Sequence, residues 1–103
     1  MENKQFYLLV TFHAKPGRRE AFLRGLVTGG VLDAIRGETG CQRYDFYLSA
    51  QDENELLLVE RWESQAHQQV HMTQPHMAAM KQLEEQNIES VELTVYEVQE
   101  NAV

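Results

Sequence analysis

The sequence predicts an α+β fold, in which one antiparallel four-stranded sheet carries its helices on a single face. Three observations predict it. Strand-like runs, three alternating in period two and one continuously apolar, recur at residues 5–13, 41–48, 56–59 and 91–98. Between the first and second runs, and between the third and fourth, apolar residues fall at the three- and four-residue spacing of helices. The turn Ala50–Asn54 returns the chain from the second run to the third, a connection of hairpin length. The order is β-α-β-β-α-β, the ferredoxin-like split βαβ arrangement.

Each element has its own justification. Gln5–His13 sets Phe6, Leu8, Val10 and Phe12 on one face and Tyr7, Leu9, Thr11 and His13 on the other, so this strand is expected in the middle of the sheet. Lys15-Pro16-Gly17 breaks the chain. From Arg18 to about Arg36, Phe22, Leu23, Leu26, Val27, Val31, Leu32 and Ile35 mark an amphipathic helix, with Gly29-Gly30 predicting a kink, a break or close packing. Gly37 and Gly40 terminate it, and Cys41–Leu48 follows as a strand with three aromatics.

Leu56–Met80 is the stretch that carries most chemistry. Leu56-Leu57-Leu58-Val59 reads as a strand covered on both faces, ending in Glu60-Arg61-Trp62-Glu63. Alternation puts Glu60 and Trp62 on the face of Leu56 and Leu58, and Arg61 on the face of Leu57 and Val59. Ser64 is the expected N-cap of the next helix, although His67 stands where a capping box needs Glu or Gln. Pro75 suits the first turn of a further helix that points Met77, Met80 and Leu83 inward. Val91–Val98 is the last strand. Because Tyr7, Leu9, Leu57 and Val59 do not make a solvated surface and no segment remains to cover them, a homodimer through the sheet faces is expected.

Bulk composition narrows the function. The chain of 103 residues fits one domain over residues 1–103, with 43% hydrophobic and 24% charged residues. A net charge of -7 disfavours nucleic acid as a partner, since phosphate binding needs clustered cations. No apolar stretch approaches membrane-spanning length, and no leader pattern opens the chain, so a cytoplasmic protein without a membrane partner is expected. The single cysteine, Cys41, agrees with a reducing compartment and reads as a packed residue.

Three stretches resemble a known family in the right order: Glu38-Thr39-Gly40-Cys41-Gln42-Arg43-Tyr44, similar to an E-x-G-C-x-x-Y motif, then Glu60-Arg61-Trp62-Glu63-Ser64, then His71 followed by Pro75-His76. The chain resembles the antibiotic biosynthesis monooxygenase family, small dimeric α/β-barrel proteins that include quinol monooxygenases and an isomerase of a phosphorylated autoinducer. The resemblance implies oxygenation without metal or flavin: a phenolic or quinol-like substrate loses a proton, and the anion passes an electron to O2. A haem-degrading branch of the fold uses an axial His where Lys81 falls here, and a Trp where His71 falls, which disfavours haem.

For such chemistry the sequence offers candidates, each with a plainer alternative. His71 closes one helix and His76 opens the next, so the helix dipoles favour the charged form at His71 and the neutral form at His76. On that logic His76 is the base and His71 the donor; helix-end capping explains both residues equally well. Tyr44, Tyr47 and Trp62 are candidate substrate walls, and Arg43 or Arg61 candidate oxyanion partners, although Trp62 also suits a core. Tyr44 and Tyr47 share a pocket only if the strand bulges. Glu60 is either a structural partner or a catalytic carboxylate in the pocket. His67 and His71 lie four apart, but a metal needs a third ligand from elsewhere, so no metal and no cofactor are expected. The leading reading is a cofactor-independent monooxygenase of a small aromatic substrate; its rivals are an isomerase of a small carbonyl compound and a non-catalytic ligand-binding dimer.

Overall fold

A computed structural model describes residues 4–99. The strands β1 (Lys4–Ala14), β2 (Cys41–Leu48), β3 (Glu55–Trp62) and β4 (Ile88–Gln99) form one antiparallel sheet in the order β2-β3-β1-β4. The helices α1 (Arg19–Thr28) and α2 (Val31–Arg36) join β1 to β2, and α3 (Gln65–His71) and α4 (Met77–Asn87) join β3 to β4. This is the α+β, ferredoxin-like arrangement expected. The single helix predicted from Arg18 to Arg36 is two, because Gly30 takes a left-handed φ of 73° that an L side chain resists. Gly29-Gly30 is thus a break.

Strand pairing fixes which residues share a face. Leu8 pairs with Glu60, Val10 with Leu58 and Phe12 with Leu56 on one side, and with Val95, Leu93 and Val91 on the other. These residues, with Tyr44 and Phe46 of β2, point toward the helices. There Leu8, Phe12, Phe22, Leu26, Ile35, Leu56, Leu58 and Trp62 are at most 2% exposed, and the rings of Phe12, Phe22 and Phe46 meet with centroids 5.3–6.1 Å apart. Each such side chain is worth about 1.5–3 kcal/mol of transfer free energy.

Two arginines tie connections to this core. Arg19 Nη1 donates to the carbonyls of Ser49, Asp52 and Glu55, closing the hairpin between β2 and β3. Arg18 Nε donates to Asn87 Oδ1 where α4 runs directly into β4. The helices leave β4 largely bare: Val91, Leu93 and Val95, though on the helix face, are 44–57% exposed. On the opposite sheet face no described element covers Tyr7, Leu9, Tyr96 and Val98, which line an open apolar depression. Among the described residues no helix is long and apolar enough to cross a membrane.

Candidate active site

The site begins at the end of β3, where two residues of equal parity meet beneath α3. Trp62 is fully buried, and its Nε1 donates to Glu60 Oε1 at 2.9 Å. Burial pushes the Glu60 carboxyl from 4.5 to about 7, and the charge of Glu38 adds to the rise while the indole bond opposes it. A carboxyl of this kind can hold or release a proton near neutrality.

After Trp62 the chain turns at once into α3. Ser64 caps it as predicted, accepting from the His67 amide at 3.3 Å, and the same hydroxyl lies 2.7 Å from His67 Nδ1. One turn later His71 is 1% exposed, its ring 4.7 Å from that of Trp62 and 5.8 Å from that of Tyr44. His71 Nδ1 stands 2.8 Å from Glu38 Oε2, and His76 Nε2 stands 2.7 Å from the same oxygen. A carboxylate oxygen accepts, so each imidazole donates to it.

Glu38 reaches this point from the loop between α2 and β2. Gly40 takes φ 85°, and a Cβ there would stand 2.4–2.8 Å from atoms of His67. Its missing side chain therefore lets the loop pack on α3 and carries Glu38 to the histidines. The signal for Glu38 lay in the sequence, as the first residue of the E-x-G-C-x-x-Y stretch, but no periodicity reveals where a loop carboxylate points.

Two hollows flank the trio. One, of about 180 Å³, lies between the sheet and the pair α3 and α4, lined by Leu8, Val10, Tyr44, Leu58, Glu60, His71, Met77, Met80 and Glu84, and it opens toward Val91 and Leu93. Burial pushes the Tyr44 hydroxyl well above its ordinary range, so it keeps its proton, and raises the Glu84 carboxyl from its ordinary value against the opposing charge of Lys81. The other, of about 540 Å³, lies outside, lined by Ala34, Glu38, Thr39, His67, Gln74 and His76.

The structure therefore gathers His71, His76, Glu60, Trp62 and Tyr44, and adds Glu38 and Glu84. Arg43, Tyr47 and Arg61 do not belong with them. Arg43 Nη2 donates to the Tyr47 hydroxyl at 2.6 Å and its Nε to Asp45 at 3.1 Å, while Arg61 Nε donates to Gln5 Oε1 and its guanidinium lies 5.8 Å from the Tyr7 ring centre. All three project from the other sheet face. The bulge of β2 falls between Cys41 and Arg43, so alternation from Tyr44 to Tyr47 is undisturbed and sends the two rings opposite ways. His76 faces the outer hollow, and His71 the inner one. Cys41 packs on the core, its thiol pushed up to about 11 chiefly by burial, which keeps it protonated and unreactive.

His67 does not pair with His71; its Nε2 lies 3.5 Å from Glu63. Among the described residues, those whose donor atoms converge as metal ligands would are Glu38, His71 and His76, all within 4.8 Å, and, nearer the surface, His13, Asp52 and Glu55.

Comparison with known proteins agrees with this fold. Antibiotic biosynthesis monooxygenase is the family whose sequence profile matches residues 5–83. No curated protein matches the chain. Among solved structures, a Mycobacterium tuberculosis protein is 31% identical over 96% of this chain and 99% of its own, with a TM-score of 0.78. A Pseudomonas aeruginosa protein is 24% identical over 99% of both chains at 0.81, and a candidate antibiotic biosynthesis monooxygenase of Deinococcus radiodurans 22% identical over 95% and 96% at 0.79. With the profile spanning most of its length and the fold shared end to end, the chain belongs to the antibiotic biosynthesis monooxygenase family.

Proposed function

We propose that the protein is a cofactor-independent monooxygenase that oxidises a small aromatic, quinol-like substrate with O2 in the hollow between the sheet and α3 and α4. The observation that carries this reading is the 2.8 Å contact between Glu38 and His71 Nδ1 at the wall of that hollow. Glu38 occupies Nδ1, so Nε2 is the nitrogen left to a ligand, and the carboxylate stabilises the imidazolium that forms when Nε2 takes a proton. In this arrangement His71 is the base, and His76 supports Glu38 from outside, the reverse of the roles that helix dipoles alone suggest.

The remaining groups suit the same chemistry. A volume near 180 Å³ accommodates one aromatic ring, with larger ring systems extending past Val91 and Leu93. Leu8, Val10, Leu58, Met77 and Met80 keep water from the anion formed there. Tyr44, held protonated, can donate to the substrate oxygen as it becomes negative. Glu60 is poised to pass a proton near neutral pH. The electron then goes from the substrate anion to O2, and the protein supplies binding, deprotonation and exclusion of water.

The wall also discriminates against one rival. No Arg or Lys lines this hollow among the described residues, while Glu60 and Glu84 do, so a phosphorylated carbonyl substrate would meet carboxyl groups and no cation. An isomerase of a neutral carbonyl compound would use the same base and needs an assay to separate it. Oxygen uptake by metal-stripped protein against a panel of hydroquinones and anthrones is that assay. Uptake is expected with at least one, falling about 10²–10⁴-fold in His71→Ala; no uptake across the panel rejects the reading.

We propose further that the active species is a homodimer through the outer sheet face, on the strength of the apolar depression at Tyr7, Leu9, Tyr96 and Val98. Light scattering should give twice the chain mass, and Leu9→Asp should return it to the monomer. A monomeric wild type would reject this.

A further inference from the structure

We propose that Glu38, His71 and His76 also form a binding site for a first-row divalent cation, entered from the outer hollow. It goes beyond the function proposed above, which uses the same trio only as a proton pair. Two imidazoles and one carboxylate are a donor set that first-row metals take with coordination positions to spare. Here the three donor atoms already converge: Glu38 Oε2 is 2.8 Å from His71 Nδ1 and 2.7 Å from His76 Nε2, and all three lie within 4.8 Å of one another. Metal–ligand bonds of about 2.0–2.2 Å place neighbouring ligands roughly 3.0–3.5 Å apart. The carboxylate therefore has to withdraw by well under ~1 Å from each nitrogen, while the two imidazole nitrogens, within 4.8 Å of one another, adjust to the same span.

The ligands come from parts of the fold that hold them in place. His71 is clamped by the rings of Trp62 and Tyr44, and His76 stands at the start of α4 with no capping bond of its own. Glu38 is fixed by its loop, where the Cys41 amide donates to the Glu38 carbonyl at 3.2 Å. Glu38 and His76 both face the outer hollow, which leaves room on that side for water or a further ligand on the ion. His67 takes no part in the site; Glu38 and His76 join His71 instead.

Occupancy has a chemical consequence. An ion on His71 Nδ1 takes the lone pair of that nitrogen, so the ring proton moves to Nε2, and the face turned to the inner hollow changes from acceptor to donor. Metal and substrate proton are then mutually exclusive at this trio, and loading should silence the base.

The test uses untagged, chelator-treated full-length protein and Co2+, whose visible absorption reports coordinated ligands directly. A saturable spectrum at one ion per chain is expected, displaced by Zn2+, and weakened at least about tenfold in His76→Ala and in the near-isosteric Glu38→Gln. His13→Ala should leave it unchanged, because the cluster of His13, Asp52 and Glu55 is already engaged by Glu92 at 3.1 Å and stands nearer the surface. No saturable spectrum, one kept in full by both Glu38→Gln and His76→Ala, or one lost in His13→Ala overturns the inference. A protein that binds Co2+ through His76 and Glu38 yet consumes no oxygen keeps this site and loses the proposed function, so the two fail separately.

Discussion

The two faces of the sheet at β2 and β3 are built from alternate residues of the same two strands, yet they differ in chemistry. Toward the helices stand Tyr44, Glu60 and Trp62; toward the other side stand Arg43, Tyr47 and Arg61. On the helix face the polar groups lie under α3 and α4 in a hollow that no Arg or Lys lines among the described residues, and burial drives the titration of Glu60 toward neutrality. On the other face each guanidinium has a carboxylate, hydroxyl or amide oxygen alongside, and lies near a tyrosine ring. One step along a strand thus separates a group held in an unfavourable state from a group already satisfied. The first kind can do work on a substrate; the second holds a surface together.

The largest effect on stability expected from this contrast is at Glu60. Its folded-state value, about 7, lies above the ordinary 4.5, so between these the folded protein binds the proton that the unfolded chain releases. The stability contributed by the neutral carboxyl is complete below about pH 4.5 and is lost as the pH rises through about 7. A shift of this size corresponds to roughly 3 kcal/mol. Urea unfolding across that window should show the decline in the wild type and lose most of it in Glu60→Gln. A wild-type curve that is flat there would mean that Glu60 is solvated, and the contrast between the faces would go with it.

A smaller change sharpens the same comparison. Trp62→Phe keeps an aromatic ring against His71 but removes the N–H that donates to Glu60 at 2.9 Å. A buried acceptor that loses its partner costs about 1–3 kcal/mol. Since that bond lowers the Glu60 value, its loss should also carry the pH-dependent window upward. Unfolding of Trp62→Phe measured over the same pH range tests both at once, and an unmoved window would show that the indole positions the ring alone.

The sequence made this division legible in part. Alternation alone placed Glu60 and Trp62 with Leu56 and Leu58, and it placed Arg61 opposite, with Leu57 and Val59. The same parity set Tyr44 and Tyr47 on opposite faces unless the strand bulged, whereas charge suggested Arg43 or Arg61 as oxyanion partners although both project from the face opposite Tyr44 and Glu60. Helix ends located His71 and His76 but not what joins them. That is Glu38, whose direction depends on the φ of Gly40 and on contact with His67 across the fold, and neither is a property of local periodicity. Which imidazole faces which hollow is likewise decided by tertiary packing, and dipole reasoning on isolated helices had the two reversed relative to the roles now proposed.

The smallest effect is expected at Arg43, and it tests the other side of the contrast. Its bonds to Tyr47 and Asp45 are near-surface contacts, with side chains 38% and 45% exposed in the ion pair, so solvent screens most of their attraction. Arg43→Ala should change stability by less than ~1 kcal/mol and leave oxygen uptake unaltered at a protein concentration that preserves the oligomer. Turnover that falls while the fold persists would bring a guanidinium within reach of the reacting centre. Within one chain the parity of β2 forbids that, because Arg43 and Tyr44 project from opposite faces. The cation would then have to act across the interface, on the substrate of a second copy, and the two faces would be joined in one site.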